Sequence, residues 1–365
     1  MWRLFGGVAV LGLLGLLGAL FAGVVADSIM RIGTDTDETD DLPDEASPDD
    51  EPVETQSIFS MFGPVEGGAV SSDAATAEAS DTADDGMPMS DDLPDAPDTD
   101  MTLWGSAGAD NLNGNGGNDS ISGVAGDDFL GGRGGDDLLD GGEGEDYLYG
   151  GAGADTLLGG AGADVLHAEA GNDALNGGDG ADALYGHEGD DALIGGDGSD
   201  SLLGGNGFDS LIGGSGDDAL DGGYGRDLLA GGNGSDVLDG GEGSDTLWGQ
   251  WPDEADAETD FLNGGGGDDL LMLGAGDYGN GGGGADVFGL LDIGPDDPPM
   301  QITDFNPAED ALVVLYDAAQ HPDPQISLVT DHDSGAIRLL LDGVTLANFT
   351  NASGVDLGAI TLRAA

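Results

Sequence analysis

From Gly105 to Trp248 the chain can be cut every nine residues without a gap, and this period decides what it can fold into. The sixteen pieces run GSAGADNLN, GNGGNDSIS, GVAGDDFLG, GRGGDDLLD, GGEGEDYLY, GGAGADTLL and on to GGEGSDTLW. Position four is Gly and position six is Asp in every piece, and position eight is Leu or Ile. Position one departs from Gly once, at Ala168. Beyond Gly249 the period loosens. Six extra residues swell a unit around 252–257, a regular unit starts at Gly264, the unit from Leu273 is one residue short, and Gly281 opens the last clear one.

A nonapeptide with one regularly placed apolar side chain cannot bury anything alone. Two units make one coil of a parallel β-solenoid, and stacked coils bury the position-eight residues in a continuous core. The pattern predicts strands of about three residues centred on that Leu, with positions seven and nine facing outward. The glycine-rich half must reverse direction tightly, which calls for backbone conformations that Gly adopts at little cost.

Position six then sets an Asp at every turn. On one edge of the stack, equivalent Asp residues lie 18 positions apart in sequence and about 5 Å apart in space, the strand spacing. Two carboxylates at that distance repel by about 1 to 3 kcal/mol. A cation between successive turns removes the conflict. Carboxylates together with backbone carbonyls form an all-oxygen shell that suits Ca²⁺, whereas Mg²⁺ demands a strict octahedron and holds its waters. Several Ca²⁺ ions are therefore the expected cofactor.

Composition supports this reading. There are 74 acidic residues against six basic ones, all of them Arg, for a formal net charge of -68. Such a chain repels phosphates, so nucleic acid is excluded as a partner. The absence of Cys excludes disulfides, thiolate chemistry and Cys-type zinc sites.

The units resemble the glycine-rich RTX repeats of haemolysin-type calcium-binding proteins. The resemblance implies a right-handed parallel β-roll with Ca²⁺ held between turns on both edges. It implies as ligands Asp110, Asp119, Asp128, Asp137, Asp146, Asp155, Asp164, Asp173, Asp182, Asp191, Asp200, Asp209, Asp218, Asp227, Asp236 and Asp245, followed by Asp260, Asp269 and Asp286. Asp277 sits in the short unit and is left out. Ser106, Asn115, Val124 and Arg133 occupy position two where later units mostly have Gly, so the first coil or two are expected to bind weakly. The stretch GGGGADVFGLLDI…ITDFNPAEDALVV resembles the C-terminal region of proteins exported by a type I exporter, which fold on meeting extracellular calcium.

The remaining segments complete an all-β expectation. From Leu4 to Val25 runs an apolar stretch of 22 residues, about 33 Å as a helix, read as a transmembrane anchor or a cleaved signal peptide. Either places the rest of the chain outside the cytoplasm; an anchor is also a departure from the exporter-substrate pattern. Residues 27–101 read as a disordered acidic linker, 102–289 as the β-roll, and 290–365 as a small β-rich C-terminal domain. Its strands are read in MQITDF, ALVVLY, QISLVT, AIRLLL, VTLANF and AITLRA.

No HExxH or GxSxG motif occurs, so an enzyme is not expected. The alternative is a hydrolase with its active site in the C-terminal segment. His167 and His187 read as surface residues of the roll, and Asp331 to Gly335 as a hairpin turn. The expected function is calcium binding by an exported, non-enzymatic protein with a surface or adhesive role.

Overall fold

In the computed structural model, residues 76–78, 99–250, 258–291, 293–331, 336–350 and 355–364 are described. The apolar run at 4–25, nearly all of the acidic linker, the swelling at 252–257 and the turn at 332–335 lie outside them. Among the described residues no helix is long and apolar enough to cross a membrane. Among the described residues the one helical element is a single 3₁₀ turn, Leu357–Ala359.

The repeat region is a parallel β-solenoid. Successive nonapeptides alternate between two sheets, each of 14 strands. Thr76–Glu78, Thr102–Trp104, Ser120–Ala125 and Leu138–Glu143 begin one sheet, and Asn111–Asn113, Phe129–Gly134 and Tyr147–Ala152 begin the other. The pairing is residue for residue at a separation of 18. Leu175 lies beside Leu157 on one side and Leu193 on the other. The position-eight residues thereby stack between the sheets, and Leu130, Leu139, Leu148, Leu157, Leu166 and Leu175 are fully buried.

Strand length differs from the sequence expectation. Most strands in the regular stack run six residues, from position seven through position three of the next unit, as in Ala174–Asp179. Pairing skips the position-one glycine and resumes at position two: Asn176 pairs with Ile194, then Gly178 with Gly196. The position-two residue takes a left-handed backbone, φ 111° at Gly178 and 119° at Gly196, and this returns the chain to the ladder.

Departures from nine residues are absorbed outside the ladders. Leu228–Asn233, Thr246–Trp248 and Leu270–Leu273 remain adjacent although the swelling stretches the last spacing to 24. The strands of the C-terminal segment then extend both sheets. Ala311–Tyr316 pairs with Val287–Leu291 and Ile360–Ala364 closes that sheet, while Met300–Ile302 follows Tyr278–Asn280 in the other. Val344–Phe349, Ile337–Leu341 and Ile326–Thr330 finish the second sheet in antiparallel order after the parallel step from Met300–Ile302. A two-residue turn at Asp342 and Gly343, φ 49° and 89°, joins two of them. Here aromatic rings join the aliphatic stack: Phe305 meets Phe288 and Phe349 edge to face at 6.0 and 5.7 Å.

Candidate metal centre

Each position-six Asp lies just before a strand, so the period places these residues in two rows, one per sheet. One row runs Asp119, Asp137, Asp155, Asp173, Asp191, Asp209, Asp227, Asp245, Asp269 and Asp286. The other runs Asp110, Asp128, Asp146, Asp164, Asp182, Asp200, Asp218, Asp236 and Asp260. Every one of these side chains is buried. All the sequence-predicted residues are thus brought together, in two lines.

Within a row the carboxylates are held by a repeated bond. The N–H of Asp110 donates to Oδ1 of Asp128 at 2.8 Å, that of Asp128 to Asp146 at 2.8 Å, and that of Asp146 to Asp164 at 2.8 Å. The second row repeats this at 2.7 Å from Asp119 to Asp137 and 2.8 Å from Asp137 to Asp155. The bond survives the swelling, with Asp245 donating to Asp269 at 2.8 Å.

Oδ2 is different. In Asp128 through Asp227, and in Asp245 and Asp269, it is buried and meets no hydrogen-bond donor. It points toward the space in front of the position-one glycine of its own unit. A methyl group on Gly141 would overlap Oδ2 of Asp146 and lie 2.7 Å from the carbonyl oxygen of Gly159, one coil on. The same two oxygens converge before Gly159, where they are Oδ2 of Asp164 and the carbonyl of Gly177. Each of these turns therefore gathers carboxylate and carbonyl oxygens, with no neighbouring group donating to Oδ2. Buried acceptors without donors are costly unless a cation completes them.

The electrostatics follow from that burial. Removal from water pushes the carboxyls of Asp137, Asp164, Asp191, Asp209, Asp218 and Asp245 up to about 7. Those of Asp128, Asp155, Asp200, Asp227, Asp269 and Asp286 rise to about 6. The N–H from the preceding coil opposes the rise, and neighbouring carboxylates add to it. The donor set is all oxygen, anionic and rigidly spaced, and it fits a hard divalent cation such as Ca²⁺.

The ends of the rows are built differently. Oδ2 of Asp110 accepts from the N–H of Ser106 at 2.6 Å, and Oδ2 of Asp119 from that of Asn115 at 2.7 Å. At the far end two further aspartates join the rows. Asp277 is buried and takes the N–H of Asp260 at 3.1 Å. Asp310 takes that of Asp286, also at 3.1 Å. The shortened unit hides Asp277. Asp310 was findable, because Asp310-Ala311-Leu312 repeats the Asp-x-Leu spacing just before a strand.

Two other sites bear on alternatives. A cleft in the C-terminal segment is lined by Pro295, Asp297, Arg338 and Thr345 among others, with no His, Ser or Cys in its lining. On the outer face of the second sheet, His167 and His187 meet, with Nδ1 of the former 3.0 Å from Nε2 of the latter.

A family model described as the RTX calcium-binding nonapeptide repeat (four copies) matches residues 102–130, 122–157, 131–166, 158–193, 194–229, 221–251 and 254–278. No curated protein matches the chain.

Proposed function

Because this chain belongs, through its repeat region, to the RTX calcium-binding nonapeptide repeat family, we propose that calcium is its folding cofactor and that the two aspartate rows are the ligands. RTX repeats bind Ca²⁺ in a β-roll. In this chain Asp128 through Asp245 and Asp269 contribute Oδ2, and the position-one residues contribute backbone carbonyls. The observation that carries the reading is the run of buried Oδ2 atoms that meet no donor.

Calcium supplies positive charge between coils; the chain supplies the cage. Oδ1 is fixed by the N–H of the coil before, so in the folded roll Oδ2 is held facing the ion. Glycine at position one keeps the space open. Asp110 and Asp119, whose Oδ2 atoms already accept from the backbone, bind most weakly. Asp286 belongs to the row of Asp269, and Asp260, Asp277 and Asp310 continue the two rows toward the C-terminal end.

The role is structural and exported. Extracellular calcium modules work at about 10⁻⁴ to 10⁻³ M, and a chain of net charge -68 would stay extended until it met such concentrations. Outside the cell the roll becomes a stiff rod for a surface or adhesive task, tethered if residues 4–25 remain as an anchor. The test pairs equilibrium dialysis of the full chain against ⁴⁵Ca²⁺ with protease shaving of intact cells that carry a C-terminal tag. Cooperative uptake of several ions and loss of the tag on shaving support the reading. Uptake unchanged when the mid-roll aspartates are replaced by Asn, or a tag protected from protease, overturns the corresponding half.

A further inference from the structure

The outer face of the second sheet carries one cluster that calcium does not account for. His167 is a position-nine residue, and Glu169 and His187 are position-two residues of adjacent coils. The parallel register sets Tyr185 beside His167 and His187 beside Glu169. One ligand atom from each of His167, Glu169 and His187 falls within 4.8 Å of the others.

Two features mark the place as built. After Arg133, every position-two residue of the regular stack is Gly except Glu169 and His187. Both take the left-handed backbone there, φ 82° and 77°, despite carrying side chains. Their coils are neighbours in one sheet. The ring of His167 is clamped between Tyr149 and Tyr185, centroids 4.8 and 4.5 Å away and planes within 9° and 7° of parallel.

We propose that His167, His187 and Glu169 form a binding site for a zinc-class divalent transition-metal ion, distinct from the calcium rows. Two imidazole nitrogens and a carboxylate oxygen are a borderline donor set that suits Zn²⁺ and is poor for Ca²⁺. Two nitrogens on one tetrahedral zinc, at about 2.0–2.1 Å each, stand roughly 3.3 Å apart. The observed 3.0 Å needs an opening of a few tenths of an ångström. The three ligands come from two coils, so the ion fastens those coils together on a face where calcium does not act. The site exists only in the folded roll, since His167 and His187 are 20 residues apart.

The test uses the full chain in millimolar Ca²⁺, which fills the oxygen sites, with Zn²⁺ as probe and the ring signals of its four histidines followed by NMR. One equivalent of Zn²⁺ is expected to shift His167 and His187 together and to leave His321 and His332 unmoved. His187→Gly and Glu169→Gly restore the residue that most coils carry, so they keep the fold. His187→Gly is expected to weaken binding by more than about 100-fold, beyond the 10- to 100-fold typical of removing a group that only orients a ligand. His167→Gln is a second variant with the same expectation. Calcium-induced circular dichroism, recorded on each variant, reads the roll separately from the zinc site. If one equivalent moves neither ring, the pair is only a ring-to-ring hydrogen bond and the proposal fails. It fails equally if His187→Gly and His167→Gln bind as the parent does.

Discussion

The N–H of Asp128 donates to Oδ1 of Asp146, 18 residues on and 2.8 Å away, while Oδ2 of Asp146 is buried without a donor. One oxygen is used to hold the carboxylate and the other is left for an ion. Asp146→Asn keeps an acceptor for Asp128 but removes the charge. It is expected to raise the calcium concentration needed to fold the roll, and to ease repulsion in the calcium-free chain. Asp146→Ala also strands the Asp128 N–H, at a further cost of about 1–3 kcal/mol. Calcium-titrated circular dichroism with thermal melts separates the two. Equal midpoints for both variants and the parent would remove Asp146 from the ligand set.

Position-four glycines are expected to differ by depth in the stack. At Gly198 a methyl group would overlap the carbonyl oxygen of Gly180, and φ is 149°. At Gly108, in the first unit, it would meet nothing within 4 Å among the described residues. Gly198→Ala should cost at least about 3 kcal/mol, a strained backbone plus a clash with a backbone atom that cannot step aside. Gly108→Ala should stay within about 0.5 kcal/mol of the parent. Melting temperatures in saturating calcium decide, and similar losses at both positions would contradict the stacking argument.

Val124 sits at position two with φ 84°, a conformation that a β-branched residue adopts only under constraint. Its side chain is exposed, so little packing is lost on removal. Val124→Gly relieves about 1–2 kcal/mol of backbone strain and returns part of that as unfolded-chain entropy. A net gain of roughly 1 kcal/mol is expected in thermal or urea unfolding with calcium present. A loss would mean that the strand needs the valine.

The raised carboxyl pKa values set a pH dependence. Buried carboxyls near 6 and 7 bind protons more tightly folded than unfolded, where their ordinary value is 3.8. For the calcium-free roll this stabilisation is complete below about 3.8 and is lost as pH rises through 6 to 7. In chelator, β-structure should therefore grow as pH falls from 8 toward 4. In calcium the sign reverses, because protons compete for Oδ2: more calcium should be needed at pH 5.5 than at 7.5. Circular dichroism, with sedimentation to exclude precipitate, checks both arms.

Much of this architecture was legible in the nonapeptide. Position eight names the core leucines and position six names both aspartate rows, because a strict period copies each residue into the same place on every second coil. Strand length was not legible. It depends on the left-handed backbone at Gly178 and its equivalents, which lets pairing resume after the skipped glycine. Asp277 was hidden because its unit lost one residue, a change that the structure absorbs outside the row. The meeting of His167 and His187 was hidden for another reason. They occupy different repeat positions, and only the diagonal across adjacent in-register strands brings position nine of one against position two of the next.

The most direct measurement is the circular dichroism of the full chain at pH 7.5, first in chelator and then through a calcium titration to about 10 mM, about tenfold above the range of extracellular modules. Little β-structure is expected in chelator, followed by a cooperative rise with calcium that magnesium at the same concentration does not reproduce. The same β signal in chelator as in calcium would show that the buried aspartates need no ion, and would contradict the central claim.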